Sequence, residues 1–286
     1  MNILPIGLVT DSTCDIPAEM LEKYNIIVVP LTIVWGDKQF LDGVELTAEQ
    51  FYERLPLENH HPSTSQPSPE AFRRAYQQAA DQGSLEILVF TISSAMSGTV
   101  ESARQAAEGY HLPVHVIDGK NNSLGLGWQV VAAARAREDG GGVSEMLAAA
   151  EQARRNMVYY VSLDTMEYLV KGGRIGGATR FLSSVLQIKP LISVNPTTGA
   201  VSPSIPARSR VRAIEGLFNE FFKHIDTQKP MHIAVLHNNA VEEAQALFEK
   251  VRSEFSPKEL LLRLVSPVLG AHTGPRAIAL CGYAEE

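Results

Sequence analysis

Small hydroxyl-bearing residues gather at two places in this chain, and each lies where a backbone turn could aim them at a common point. The stretch SSAMSGT puts Ser93, Ser94, Ser97 and Gly98 between the apolar run LEILVFTI and a helical pattern, while STSQPSP carries Ser63, Thr64 and Ser65. Ser97 is spaced as an N-cap for the helix that follows. Capping requires neither Ser93 nor Ser94, however, and a helix start with free N–H groups beside hydroxyls also suits an anion. Two further patches add cationic and imidazole groups: PARSRVR, with Arg208, Arg210 and Arg212, and GAHTGPR, with His272 and Thr273. Arginines at the start of a helix oppose its macrodipole by roughly a few tenths of a kcal/mol each. A solvated basic face is the ordinary account of such a run. Because the chain carries a formal net charge of −7, a single functional arginine, Arg208, is favoured over a basic patch. Gly270 and Gly274 around His272 allow close backbone approach to a ligand head or a neighbouring strand.

Several catalytic chemistries lack their residues. No G-x-S-x-G nucleophile elbow, G-x-x-x-x-G-K-[ST] loop or complete G-x-G-x-x-G turn occurs. His60 and His61 are adjacent and the other histidines scattered, which argues against a metal centre. Asp11 and Asp118 end strand-like runs, where sites gather in parallel sheets, but each can equally organise a turn. Hydroxyls with an arginine and a histidine describe a carboxylate-binding site better than a catalytic triad. The competing reading is a hydrolase or transferase of small acids, with Ser94 or Ser97 as nucleophile and His272 as base.

The elements that must position these groups alternate. IGLVTDS, IIVVPLTIVW, LEILVFTI and LPVHVID read as strands, and DIPAEMLEKYN, TAEQFYERL, SPEAFRRAYQQAADQG, SGTVESARQAAEG and LGWQVVAAARAREDGGG as helices. Asp15 is placed to cap the first helix, Thr47 and Gln50 to form a capping box on the second, and WGDKQFLDG to make a turn or hairpin. PLENHHPSTSQPSPEAF reads as a loop. This alternation implies an N-terminal three-layer α/β/α domain over residues 1–154 with a mainly parallel sheet. Residues 155–286 read as a C-terminal α+β domain with a mixed sheet: a strand at MVYYVSLDT, glycines followed by a helix in KGGRIGGATRFLSSVLQI, a hairpin turning at NPTTGA, the amphipathic helix SRVRAIEGLFNEFFKHID, and then strands at MHIAVLHN, LLLRLVSPV and AIALCGYA.

Composition fits this picture. With 45% hydrophobic and 20% charged residues the chain is of ordinary globular type. Its acidity argues against a nucleic-acid partner. Two cysteines far apart, Cys14 and Cys281, fit a reducing cytoplasm, and neither a signal peptide nor a membrane-spanning run is read at any position.

The motifs VTDSTCDIP, TSQPSP, SSAMSGTVESA, KGGRIGG, IKPLISV and SPVLGAHTGP, in this order, resemble the DegV family of bacterial fatty acid-binding proteins along essentially the whole chain. The resemblance implies a long-chain fatty acid enclosed between two domains, with no other cofactor. It also implies a role as carrier subunit for a separate ATP-dependent fatty acid kinase. Carried onto this sequence, the head-group contacts fall on Thr64, Ser94, Ser97, His272 and Thr273, within a candidate ligand set that also holds Ser65, Gly98 and Arg208. Arg208 matches an arginine near the kinase-facing surface, and Arg174 of KGGRIGG is expected to orient its loop more than to touch ligand. Pro206 and Ala207 before Arg208, and Arg276 after HTGP, depart from the family pattern. Burying about fifteen methylenes at about 0.8 kcal/mol each gives on the order of 12 kcal/mol before immobilisation is subtracted, so affinity can come from the tail. The expected tail-lining residues are those of VYYVSL together with Phe181, Leu182, Val185 and Leu186.

Overall fold

A computed structural model describes residues 6–179 and 188–286. The described residues open with β1 (Ile6–Asp11), the helix Ala18–Lys23 and β2 (Ile26–Val29), then a hairpin of β3 (Thr32–Trp35) and β4 (Lys38–Leu41). The helix Ala48–Arg54, β5 (Ser63–Ser65), the helix Pro69–Asp81, β6 (Glu86–Thr91), the helix Thr99–Ala107 and β7 (Val114–Asp118) follow. Helices Ser123–Glu138 and Val143–Arg155 lead to β8 (Val158–Ser162), the helix Glu167–Lys171, and the hairpin of β9 (Leu191–Val194) and β10 (Val201–Pro203). The helix Arg210–His224, β11 (Met231–His237), the helix Val241–Phe255, β12 (Glu259–Leu264), the helix Pro267–Thr273 and β13 (Ile278–Ala284) complete it.

The first half is the expected α/β/α domain, built on a parallel sheet of order β2-β1-β6-β7. Alternate residues serve opposite layers. Val9, Ile87 and Val89 pack with Phe72, Tyr76 and Ala103 of the helices on one face, while Leu8, Leu88 and Phe90 meet Leu126, Val130 and Ala133 of the helix Ser123–Glu138 on the other. That helix is buried along most of its length, as a helix that is apolar all round must be. Its alanines and glycines let it lie between two layers. The second layer is the mixed sheet of the C-terminal domain, of order β10-β9-β8-β13-β11-β12, in which only β11 and β12 pair in parallel. Its inner face, with Tyr159, Val161, Ala234, Leu236 and Cys281, shares one continuous core with the N-terminal domain. Its outer face is covered by Leu217, Phe221, Leu247 and Val251 of two helices.

Four local expectations are corrected. IIVVPLTIVW is two strands, because Pro30 has no N–H to continue a ladder: β2 stays in the parallel sheet, whereas β3 joins a separate antiparallel sheet of order β4-β3-β5. The Ser/Pro-rich segment is not wholly loop, since β5 pairs with β3 and sets Thr64 opposite Ile33. LLLRLVSPV ends as a strand at Leu264, and Pro267 opens a helix as its first residue. Asp15 caps nothing on the helix Ala18–Lys23; it lies in the left-handed region at φ 50 and accepts from Ser123 Oγ at 2.5 Å and Ser266 N at 3.0 Å. The capping box of Thr47 and Gln50 and the turn between β9 and β10 are as read. Among the described residues no helix is long and apolar enough to cross a membrane.

Candidate functional site

A cavity of about 310 Å³ lies between the inner face of the mixed sheet and the loops at the C-terminal ends of β6 and β7, the side of a parallel sheet on which ligands bind. Its floor is a single rung of side chains across four strands: Leu236 opposite Ala279, Ala279 opposite Val161, and Val161 opposite Ile192. Ala277 and Ala279 leave the space; larger side chains there would fill it. Further apolar lining comes from Ile92 and Met96 of the serine turn and from Leu31, Leu169, Val194, Val201, Val265, Val268, Leu269 and Ile278.

Polar groups are confined to a rim. Thr64, held inward by the β3–β5 pairing, meets His272 with Oγ1 and Nε2 2.8 Å apart. Burial first, then the nearby charges of Arg174 and His61, lowers the His272 pKa to about 4. The ring is therefore neutral at physiological pH, and the contact is a hydrogen bond without net charge. Gly172 makes room for it, because a Cβ there would overlap His272 Nδ1. Arg174 donates to Gly172 O at 2.8 Å and Met96 O at 3.3 Å, which ties its loop to the serine turn, and its side chain also lines the cavity. Thr273 donates to Leu269 O and accepts from Asn238 Nδ2, both at 2.8 Å. Ser65, Gln66, Ser97, Asn122 and Asn238 complete the polar lining.

The expected site residues thus divide. Thr64, Ser65, Ser97, His272 and Thr273 meet around the cavity. Ser97 is not the helix cap: that position is Gly98, without a side-chain cap, and Ser97 Oγ lies 2.9 Å from Thr99 Oγ1. Gly98 does not line the cavity; it leaves space for Gln66, which is pinned by its Nε2 donation to Ser102 Oγ at 2.9 Å. Ser94 turns outward and donates to Asp118 Oδ2 at 2.5 Å, its N–H meeting Oδ1 at 3.1 Å. Arg208 is exposed and away from the cavity wall. Arg210 pairs bidentately with Glu243, which also accepts from Arg276. Phe181, Leu182, Val185 and Leu186 lie outside the described residues. Of VYYVSL, Tyr159 and Val161 line the cavity, whereas Val158 and Tyr160 pack against the outer core. Sequence reasoning missed Gln66, Met96, Asn122, Arg174 and Asn238 as lining residues; the pair Asn238–Asn239 just after an apolar strand was the available signal.

The geometry bears on catalysis as well. Neither Ser94 nor Ser97 is hydrogen-bonded to His272, whose Nε2 is engaged by Thr64. Among the described residues no group of three or more His, Cys, Asp or Glu is arranged to hold a metal.

An α/β/α unit and an α+β unit thus close on an apolar cavity whose polar rim carries hydroxyls, a neutral imidazole and Arg174. The profile of the family described as "Uncharacterised protein, DegV family" matches residues 5–285, and the chain belongs to that family. It is 35% identical to a DegV domain-containing protein of Streptomyces coelicolor over 94% of this chain and 95% of the other. A DegV domain-containing protein of Deinococcus radiodurans is 33% identical over 97% and 98%. Among solved structures, a DegV family protein from Thermus thermophilus described by its fatty acid binding superposes with a TM-score of 0.91 at 32% identity, covering 99% of this chain and 100% of that one. The fatty acid-binding DegV of Bacillus subtilis gives 0.90 at 27%, over 99% and 100%.

Proposed function

We propose that this protein binds one long-chain fatty acid, without catalysis of its own, and presents the carboxylate to a separate ATP-dependent fatty acid kinase. The units 1–154 and 155–286 close on the ligand. The observation that carries the reading is the segregation within the cavity: the floor is apolar on every strand it crosses, and hydroxyls, a neutral imidazole and Arg174 are gathered on one rim. The tail contributes affinity by leaving water. The carboxylate sits among Thr64, Ser65, Ser97, His272 and Thr273, with Arg174 as its cation. Ser94 and Gly98 support the turn that carries Ser97 and do not touch the ligand. The fatty acid binding of the Thermus and Bacillus relatives supports the same ligand class here. Arg208, exposed and unpaired among the described residues, is assigned to the kinase-facing surface.

Native mass spectrometry of protein purified from cells, followed by lipid extraction, tests this. One fatty acid per chain is expected. Lipid-free protein in which a serine reacts with a fluorophosphonate would instead favour the hydrolase. Thr64→Ala with Ser97→Ala removes two hydroxyls from the rim and should weaken binding by about 1–3 kcal/mol, read as fatty acid exchange rate. Arg208→Ala should leave the bound lipid unchanged and lower acyl phosphate formation by the kinase.

A further inference from the structure

The cavity stops along the strand direction at a definite place. Ala277, just before β13, and Ile278 and Ala279 on it line the cavity, but the next inward residue, Cys281, does not; on β11 Leu236 lines it and Ala234 does not. On β8 the lining runs through Val161 to Tyr159 and ends before Met157. Cys281 is directly opposite both Tyr159 and Ala234 in the sheet. One rung therefore carries a large ring on β8, beside the small buried side chains Cys281 and Ala234.

The ring is held in place from behind. Tyr159 is buried in the shared core with Ser123 beside its hydroxyl, and Ser123 Oγ donates to Asp15 Oδ2 at 2.5 Å, whose Oδ1 accepts from Ser266 N at 3.0 Å. Ser123 is fully buried and lies at φ 47, a backbone region that a residue with a side chain adopts only when its surroundings hold it there. The chain from Ser123 through Asp15 to Ser266 thus joins three segments of the fold: the start of the helix Ser123–Glu138, the turn after β1 and the turn after β12.

Resting on the fatty acid reading, we infer that Tyr159 is the back wall of the acyl cavity and sets the largest tail the protein accepts. Among the described residues aliphatic side chains line most of the floor and Tyr159 places an aromatic ring there, with the small side chains of Cys281 and Ala234 beside it on the rung. Removing the ring lengthens the cavity toward Cys281 and Ala234 by the volume the ring occupies.

The test is competitive loading of delipidated protein from an equimolar series of saturated fatty acids, lauric to behenic, read by native mass spectrometry on wild type and three variants. Tyr159→Ala is expected to move the most-retained acid to a longer one and to hold tails that the wild type rejects. Tyr159→Phe keeps the ring and should retain the wild-type profile. If the alanine variant does not fold, Tyr159→Leu, which keeps an apolar filler of smaller size, should shift the profile in the same direction. An alanine or leucine variant that loads fatty acid with the wild-type profile overturns the inference and leaves the carrier reading standing. A phenylalanine variant that shifts as far as alanine overturns ring bulk as the cause. Wild-type protein that loads no member of the series overturns the carrier reading, and this inference with it.

Discussion

His272 shares one hydrogen bond with Thr64, and burial, not contact with a carboxylate, determines its charge. Its folded pKa of about 4 stands against an ordinary 6.5. The unfolded chain therefore takes up a proton from pH 6.5 downward while the folded one resists until about 4. The stabilisation is complete above pH 6.5 and is lost as the pH falls to 4, by up to ~3 kcal/mol. Asp11, Asp15 and Asp42 act in the opposite sense. Desolvation raises them to about 6, 6 and 7, so their share of stability falls as the pH rises across that range. The histidine's part is consequently read as a difference. His272→Gln should shift the change in melting temperature between pH 6.5 and 4 toward greater relative stability at the acid end than in wild type, and the ring signals of His272 should titrate near 4 by NMR. A midpoint at or above 6.5 would mean a solvated ring.

At the scale of elements, the serine turn after β6 does two things with adjacent residues. Ser93 is fully buried, donates to Gly199 O at 2.8 Å and accepts from Ala95 N at 3.1 Å, so it fastens the N-terminal domain to the turn between β9 and β10. Gly199 is required there, since φ is +69 and a Cβ would overlap Ser93 Oγ. Ser93→Ala should cost about 1–3 kcal/mol in denaturant unfolding because the carbonyl loses its buried partner, whereas Ser94→Ala at the exposed Asp118 pair should stay within about 0.5 kcal/mol. Equal losses would contradict the assignment of Ser93 to the seam. Strand and helix alternation was legible over most of this region because both faces of the parallel sheet are covered, which makes β1, β2 and β6 short apolar runs. β5 was not: three residues, Ser63–Ser65, carry no periodic signal, and they become a strand only because β3 offers an edge.

For the whole molecule, the shared core across the two domains means that a ligand between them stabilises both. Delipidated protein should melt lower than loaded protein, by the equivalent of about 2.7 kcal/mol at a hundredfold excess over Kd. Scanning calorimetry with and without added fatty acid measures this. Identical melting curves would place the lipid outside the fold or show that it does not bind. The candidate rim was partly legible, since Thr64, Ser65, Ser97, His272 and Thr273 announce themselves as polar groups beside turns. Arg174 was noted for its loop, but its place on the cavity wall follows from the path of the glycines around it, with Gly173 and Gly176 both at positive φ.

The order of apolar runs, helix signals and turn residues was enough to determine two α/β layers and to mark polar residues beside turns, because those properties depend on near neighbours in the chain. The cavity floor depended on strand pairing. Leu236, Ala279, Val161 and Ile192 are far apart in sequence and become one surface only through the register of four strands. The same pairing decides that Tyr159 closes that surface, and long-range packing decides that Ser94 turns away while Ser97 faces in. Side-chain identity is local, but the direction a side chain faces is a property of the assembled sheet.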